Sequence, residues 1–171
     1  MKNYSPDEKI RISGVTNDSI VDGPGFRYVI FAQGCDMHCE GCHNPQTWDK
    51  NGGYEISFGE IMESIRANPL LDGVTLSGGE PFLQAEKFAS LCNEIKAKTP
   101  LNIISYSGYT YEQIISNPTY KELLNTLDYL IDGSFKLEEQ SYELQFMGSK
   151  NQRFIDVKAS LAKGSVIEKI F

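Results

Sequence analysis

The sequence predicts an α/β fold built on a mostly parallel sheet, and three observations carry that expectation. First, short β-branched and aromatic runs recur between turn residues: Arg27 to Phe31 (RYVIF), Val74 to Leu76 (VTL), Ile103 to Tyr106 (IISY), Tyr129 to Ile131 (YLI) and Phe154 to Val157 (FIDV). Second, amphipathic helical patterns fill most of the intervals. Third, every chemically suggestive group follows a strand: Cys35 after RYVIF, Ser77 to Glu80 after VTL, Ser107-Gly108 after IISY and Asp132-Gly133 after YLI. Parallel α/β folds build their sites at that edge, so these groups can converge although they are distant in sequence. The alternation implies right-handed helical crossovers, in either an open sheet or a segment of a barrel. A chain of 171 residues is too short for eight βα units, which take about 250.

The helices have local start signals. Ser57 with Glu60 three residues on forms a capping box, and Phe58, Ile61, Met62 and Ile65 share the buried face of a helix running to about Asn68. A second helix over about residues 83 to 98 places Phe88, Leu91, Cys92 and Ile95 on one face, which makes Cys92 a core residue. Thr110 with Gln113 caps a third, and Asn117-Pro118 opens a fourth with Tyr120, Leu123, Leu124 and Leu127 inward. No repeat, low-complexity tract or linker interrupts the chain, so a single domain over residues 1–171 is expected.

Composition narrows the partners. A formal charge of -7 and a sequence pI near 4.9 argue against nucleic acid, which demands a basic stripe, and against an anionic membrane surface. The opening MKNYSPDEKIRI lacks the basic-then-apolar pattern of a secretory signal, and a cytoplasmic address is the expectation.

Three of the four cysteines fall within eight residues, Cys35, Cys39 and Cys42, where disulfides would close strained, tiny loops. Metal ligation is the better use. A four-iron four-sulfur cluster on three thiolates leaves one iron open for a substrate or cofactor, whereas an electron-carrying ferredoxin site supplies four. With His38 and His43 beside them, the same cysteines also suit a closed Cys3His zinc site. The second motif is Ser77-Gly78-Gly79-Glu80-Pro81, whose glycine pair lets backbone approach a ligand closely.

Cys35-x3-Cys39-x2-Cys42 followed one strand later by Gly78-Gly79-Glu80 resembles the radical S-adenosylmethionine superfamily. The resemblance implies an incomplete (β/α) barrel, a shortened form of that superfamily's core. It also implies a 4Fe-4S cluster on Cys35, Cys39 and Cys42, with S-adenosylmethionine chelating the fourth iron and its methionine amino end lined by Ser77, Gly78, Gly79 and Glu80. VDGPGFRYVIFAQGC (Val21 to Cys35) and CHNPQTWD (Cys42 to Asp49) are similar to the activases that install glycyl radicals in partner enzymes. YSGYTYEQ (Tyr106 to Gln113), LIDGSF (Leu130 to Phe135) and GSKNQRFIDV (Gly148 to Val157) are similar to the branch acting on anaerobic ribonucleoside-triphosphate reductase. Length agrees with that branch, since pyruvate formate-lyase activases are longer. Implied by the same resemblance are a 5'-deoxyadenosyl radical that takes a hydrogen atom from a glycine of the reductase large subunit, and a one-electron donor such as flavodoxin. The alternatives are another glycyl radical enzyme as target, pyruvate formate-lyase first, and a zinc or iron-sulfur module with no reaction of its own.

One departure stands out. Many members of the superfamily carry an aromatic residue immediately before the third cysteine, against adenine, and this chain has Gly41. The backbone of Gly41 and Cys42 and the ring of His43 are the expected substitutes. Asp132 is expected either as a cofactor ligand or as a strand-end turn residue. Asp22 to Gly25 reads as a tight turn, Trp48 as a cap over the cysteine loop, His38 as a solvent-facing loop residue. Asn151 to Arg153 either face the protein partner or simply begin the last strand.

Overall fold

In the computed structural model, which describes residues 3–170, the described residues form one seven-stranded sheet. In chain order the strands are β1 (Lys9–Ser19), β2 (Arg27–Ala32), β3 (Tyr54–Ser57), β4 (Gly73–Gly78), β5 (Asn102–Tyr106), β6 (Tyr129–Asp132) and β7 (Arg153–Asp156). They lie side by side in the order β3-β1-β2-β4-β5-β6-β7. The central strands β2, β4, β5 and β6 are parallel. Antiparallel strands flank them: β1 and β3 on one side, β7 on the other. The helices are α1 (Phe58–Arg66), α2 (Ala85–Lys98), α3 (Tyr111–Ile115), α4 (Pro118–Leu124) and α5 (Val157–Lys163).

The parallel core matches the expected alternation, and the flanks extend it. β1 and β3 were not read as strands in the sequence. In β1 only Ile10, Ile12 and Ser19 are buried and the rest is polar or half-exposed; β3 is a four-residue edge strand with no buried residue. Their extended form comes from pairing with each other and with β2, which local pattern does not report. The last strand ends one residue earlier than expected, because the Asp156 carboxylate accepts from the Ala159 amide at 2.9 Å and caps α5. Val157 therefore opens a helix. Residues 167–169 lie along β7, where the Lys169 amide donates to Phe154 and the Asp156 amide to Ile167, which covers part of that sheet edge.

Local helix signals survive folding. The Ser57–Glu60 and Thr110–Gln113 capping boxes are both formed, and Asn117 accepts from the Thr119 and Tyr120 amides. α2 begins at Ala85 after a 3-10 turn over Pro81–Gln84. Cys92 is fully buried in the core.

Period-two alternation sends the sheet residues to two different faces. Tyr28, Ile30, Val74, Leu76, Ile103, Leu130 and Ile155 pack under the helices with Phe58, Ile61, Phe88, Leu91 and Ile95. The opposite face carries a smaller cluster of Ile104, Ile131 and Phe154, joined by Tyr106, Phe146 and Met147. Two irregular segments close over this second face. The Asp22–Gly25 turn is held by the fully buried Arg27, whose guanidinium donates to Pro24 O, Val74 O, Thr75 Oγ1 and Asn102 Oδ1. Burial pushes that guanidinium down to about 10. The second segment, residues 133–152, hangs on Tyr106, whose hydroxyl donates to Phe146 O at 2.6 Å.

Candidate cluster and cofactor site

The cysteine loop leaves β2 at Gln33 and is stapled shut at its stem. The Gly34 amide donates to Thr47 O at 2.6 Å, the Cys35 amide to Trp48 O at 3.2 Å, and Gln33 Nε2 to the carbonyls of Gln46 and Asp49. Trp48 does cap the loop, with the exposed His38 stacked on it at 4.5 Å between ring centroids. Cys35, Cys39 and Cys42 are free, half-buried and line one cavity of about 760 Å³ together with His43, Ser77, Gly78, Gly79 and Glu80. Among the described residues no three His, Cys, Asp or Glu side chains form a group that would hold a single ion. The three thiols share a cavity wall, and in a four-iron cluster each thiolate takes a different iron. Burial pushes the Cys35 and Cys39 thiols up, with Glu80 and neighbouring cysteines adding to it and nearby backbone groups opposing. Any metal taken up by these thiols would have to displace those protons, which a rising pH favours. Free, converging, part-buried thiols beside room for a cofactor fit an iron-sulfur cluster.

Gly78 and Gly79 are pressed against protein backbone. Gly78 has φ +93, and a Cβ there would lie 2.5 Å from Ala32 N. A Cβ on Gly79 would collide with Gly34 O. The Gly79 amide donates to Ala32 O and the Glu80 amide to Gly34 O, each at 2.8 Å. The glycine pair therefore zips the end of β4 to the stem of the cysteine loop. That contact sets the distance between the two sequence motifs.

Glu80 continues the same lock. Its side chain is 1% exposed; Oε1 accepts from Ser107 Oγ at 2.9 Å and Phe82 N at 3.1 Å, and Oε2 from Gly108 N at 2.8 Å. Burial pushes its carboxyl up to about 7, against those three hydrogen bonds. Asp132 is buried too, but it does not line the cavity of the thiols. It accepts from the Tyr111 amide at 2.7 Å and from Arg153, which also grips Glu112, and it borders a separate cavity of about 830 Å³ that shares Met37, Cys39, Gly108, Gly133 and Phe135 with the first. These hydrogen bonds raise the Arg153 guanidinium above its ordinary value.

Sequence reasoning missed the far wall. Residues 133–152 carry Phe135, Gln140, Tyr142, Phe146 and Met147 into the cavity lining. Of the polar run expected at a partner surface or strand start, Arg153 does begin β7, and Asn151 and Gln152 turn inward to hold this segment. Asn151 Nδ2 donates to Ser134 O at 2.8 Å, Gln152 Nε2 to Gly133 O at 3.0 Å, and Gln152 Oε1 accepts from the Gly148 amide at 2.8 Å. The signal was present as two stretches, LIDGSF and GSKNQR, which the fold turns into one unit.

Residues 21–155 match the family described as a 4Fe-4S single cluster domain. The chain belongs to the radical S-adenosylmethionine activases. It is 34% identical to the anaerobic ribonucleoside-triphosphate reductase-activating protein of Enterobacteria phage T4, over 78% of this chain and 85% of that protein. With the pyruvate formate-lyase 1-activating enzyme of Escherichia coli K12 it shares 30% identity over 91% of this chain and 64% of that one. The pyruvate formate-lyase-activating enzyme of Clostridium pasteurianum is 39% identical over 63% of this chain and 48% of its own length. The chain thus spans about half to two thirds of those two activating enzymes. Among solved structures, QueE from Escherichia coli aligns at 17% identity with a TM-score of 0.47, covering 60% of this chain and 53% of that chain.

Proposed function

We propose that this chain is an activase that holds a 4Fe-4S cluster on Cys35, Cys39 and Cys42, binds S-adenosylmethionine beside it, and installs a glycyl radical in the large subunit of anaerobic ribonucleoside-triphosphate reductase. The observation that carries this reading is the single cavity that collects all three thiols and Ser77 to Glu80. The phage relative, matched over 85% of its length, supports the choice of reductase. Bound together, cluster and cofactor supply a one-electron reductive cleavage whose product takes a hydrogen atom from the target glycine.

The chain's own part is binding, placement and exclusion of water. Three thiolates leave one iron open. Ser77, Gly78, Gly79 and Glu80 frame the amino-acid end of the cofactor, and an ammonium arriving there favours the ionised form of Glu80. Gly41, Cys42 and His43 border the adenosyl end. Asp132 stands behind the wall, bonded to Arg153 and the Tyr111 amide. On this reading the cavity is the inner face of an incomplete barrel, and a cluster held there would take its electron from a one-electron donor such as flavodoxin.

The test is anaerobic purification followed by iron, sulfide and zinc analysis, then reductant and S-adenosylmethionine with the reductase. We expect a brown protein, 5'-deoxyadenosine, and a glycyl radical by electron paramagnetic resonance. A colourless protein with one zinc and no sulfide sinks the reading. The identity shared with pyruvate formate-lyase activating enzymes makes pyruvate formate-lyase the second candidate target, and radical formation on that partner alone would decide for it.

A further inference from the structure

The far wall of the cavity mixes polar residues, Gln140, Ser141 and Gln152, with apolar ones, Tyr142, Phe146 and Met147, and at one place an aromatic ring of this wall meets the cysteine loop. Phe135 and His43 meet there with ring centroids 5.2 Å apart and planes inclined by 46°. The Phe135 ring sits in a slot between two glycines. A Cβ at Gly41 would stand 3.3 Å from Phe135 Cε1 and 3.0 Å from Leu137 Cδ1, and a Cβ at Gly148 would stand 3.0 Å from Phe135 Cδ2. One glycine belongs to the cysteine loop and the other to the returning limb of residues 133–152. At Gly41 the backbone, with φ +75, adds a second reason for glycine.

Several polar groups are committed to holding that slot. Gln152 ties Gly148 to Gly133, Asn151 ties the return limb to Ser134, and the Lys136 amide donates to Ser149 Oγ at 3.2 Å. They fix the residues on both sides of Phe135, whose ring nevertheless remains only half-buried and borders both cavities. A rigid, partly open aromatic ring beside an imidazole is a surface for a flat heteroaromatic ligand.

We propose that Phe135, with His43 beside it, is the wall that receives the purine ring of S-adenosylmethionine, and that Gly41 and Gly148 lack side chains so that this ring can stand there. The assignment rests on the cofactor reading given above and names the residue that supplies the aromatic surface absent from position 41. It makes Phe135 a binding residue that distinguishes adenosyl ligands from the bare amino acid.

The test uses cluster-loaded protein under anaerobic conditions, without reductant, and reads equilibrium binding of S-adenosylmethionine, S-adenosylhomocysteine and methionine. Phe135→Leu should weaken both adenosyl ligands roughly tenfold, the size of one lost base-aromatic stack. Methionine binding and the iron and sulfide content should stay within twofold of the parent, and Phe135→Tyr should restore the adenosyl affinity. Equal weakening of methionine, or unchanged affinity for the adenosyl ligands, overturns the proposal. If Phe135→Leu loses its cluster, photolabelling of the unaltered protein with 8-azido-S-adenosylmethionine decides: label on the peptides containing Phe135 or His43 supports the wall, and label confined elsewhere removes it. A cluster-loaded parent protein that binds no S-adenosylmethionine at all fails the cofactor reading itself.

Discussion

The two walls of the cavity are built by different chemistry. On the cysteine side, β2, β4 and the loop over residues 34–48 are joined by backbone hydrogen bonds and by glycines that allow main chains to touch. On the far side, residues 133–152 have one isolated bridge, Gln140 to Ser149, with backbone bonds from Ser141 to Gly148, Lys150 to Glu139 and Gly133 to Tyr109, and the side chains of Tyr106, Ser149, Asn151 and Gln152 supply further ties. A backbone zipper tolerates side-chain change except where a Cβ would collide. A wall hung on side-chain amides depends on each of those amides. If the proposed function holds, substitutions on the cysteine side should disturb the cluster, and those on the far side should disturb cofactor binding.

The largest effect is expected at the three cysteines. Cys39→Ala should abolish 5'-deoxyadenosine and glycyl radical formation, with iron content falling in step; a variant that still forms the radical would remove the cluster assignment. Next comes the zipper. Gly79→Ala forces a Cβ into Gly34 O and should cost about 2–4 kcal/mol in urea unfolding of the cluster-free protein, together with poor iron loading. Glu80 tests the same wall through pH. Its carboxyl is pushed up to about 7 in the fold from an ordinary value of 4.5, so the folded protein keeps a proton that the unfolded chain releases. Stability of the cluster-free protein should therefore fall as pH rises from about 4.5 to 7, by up to about 3 kcal/mol, and level off above; Glu80→Gln should show a flatter profile.

The far wall should respond differently. Gln152→Ala frees the Gly148 and Gly133 backbone groups and should cost about 1 kcal/mol. Amide exchange should quicken across residues 133–150 and S-adenosylmethionine affinity should fall several-fold, while iron content stays that of the parent. Loss of iron in this variant would show that the two walls are not separable. The smallest effect belongs to Cys92→Ala, in the core away from both walls: chemistry intact, and about 1–2 kcal/mol lost in a denaturant titration.

Much of the fold was legible because its signals are local. The parallel strands announce themselves as short apolar runs, and Ser57, Thr110 and Asn117 cap helices with side chains that reach only two or three residues along the chain. β1 and β3 were not legible, since a polar edge strand is extended only because a partner pairs with it. Of the site, the cysteine spacing and the glycine pair stood out in the sequence. What the glycines touch did not. They are expected to leave room for a ligand; in the fold they line the cavity, and the space a side chain would need there is taken by Ala32 and Gly34.

By itself the sequence determined the alternation of strands and helices, the strand ends at which the suggestive groups lie, and the close spacing of the three thiols. Those follow from spacing, and spacing is a property of the chain alone. Tertiary structure alone decided that Glu80 is buried and bonded to Ser107 and Gly108 at the cavity wall, that Asp132 bonds to Arg153 and Tyr111, and that Phe135 fills the space beside Gly41. Phe135 lies 94 positions beyond Gly41 in the sequence, and contacts over that separation exist only once the sheet has brought the strand ends together.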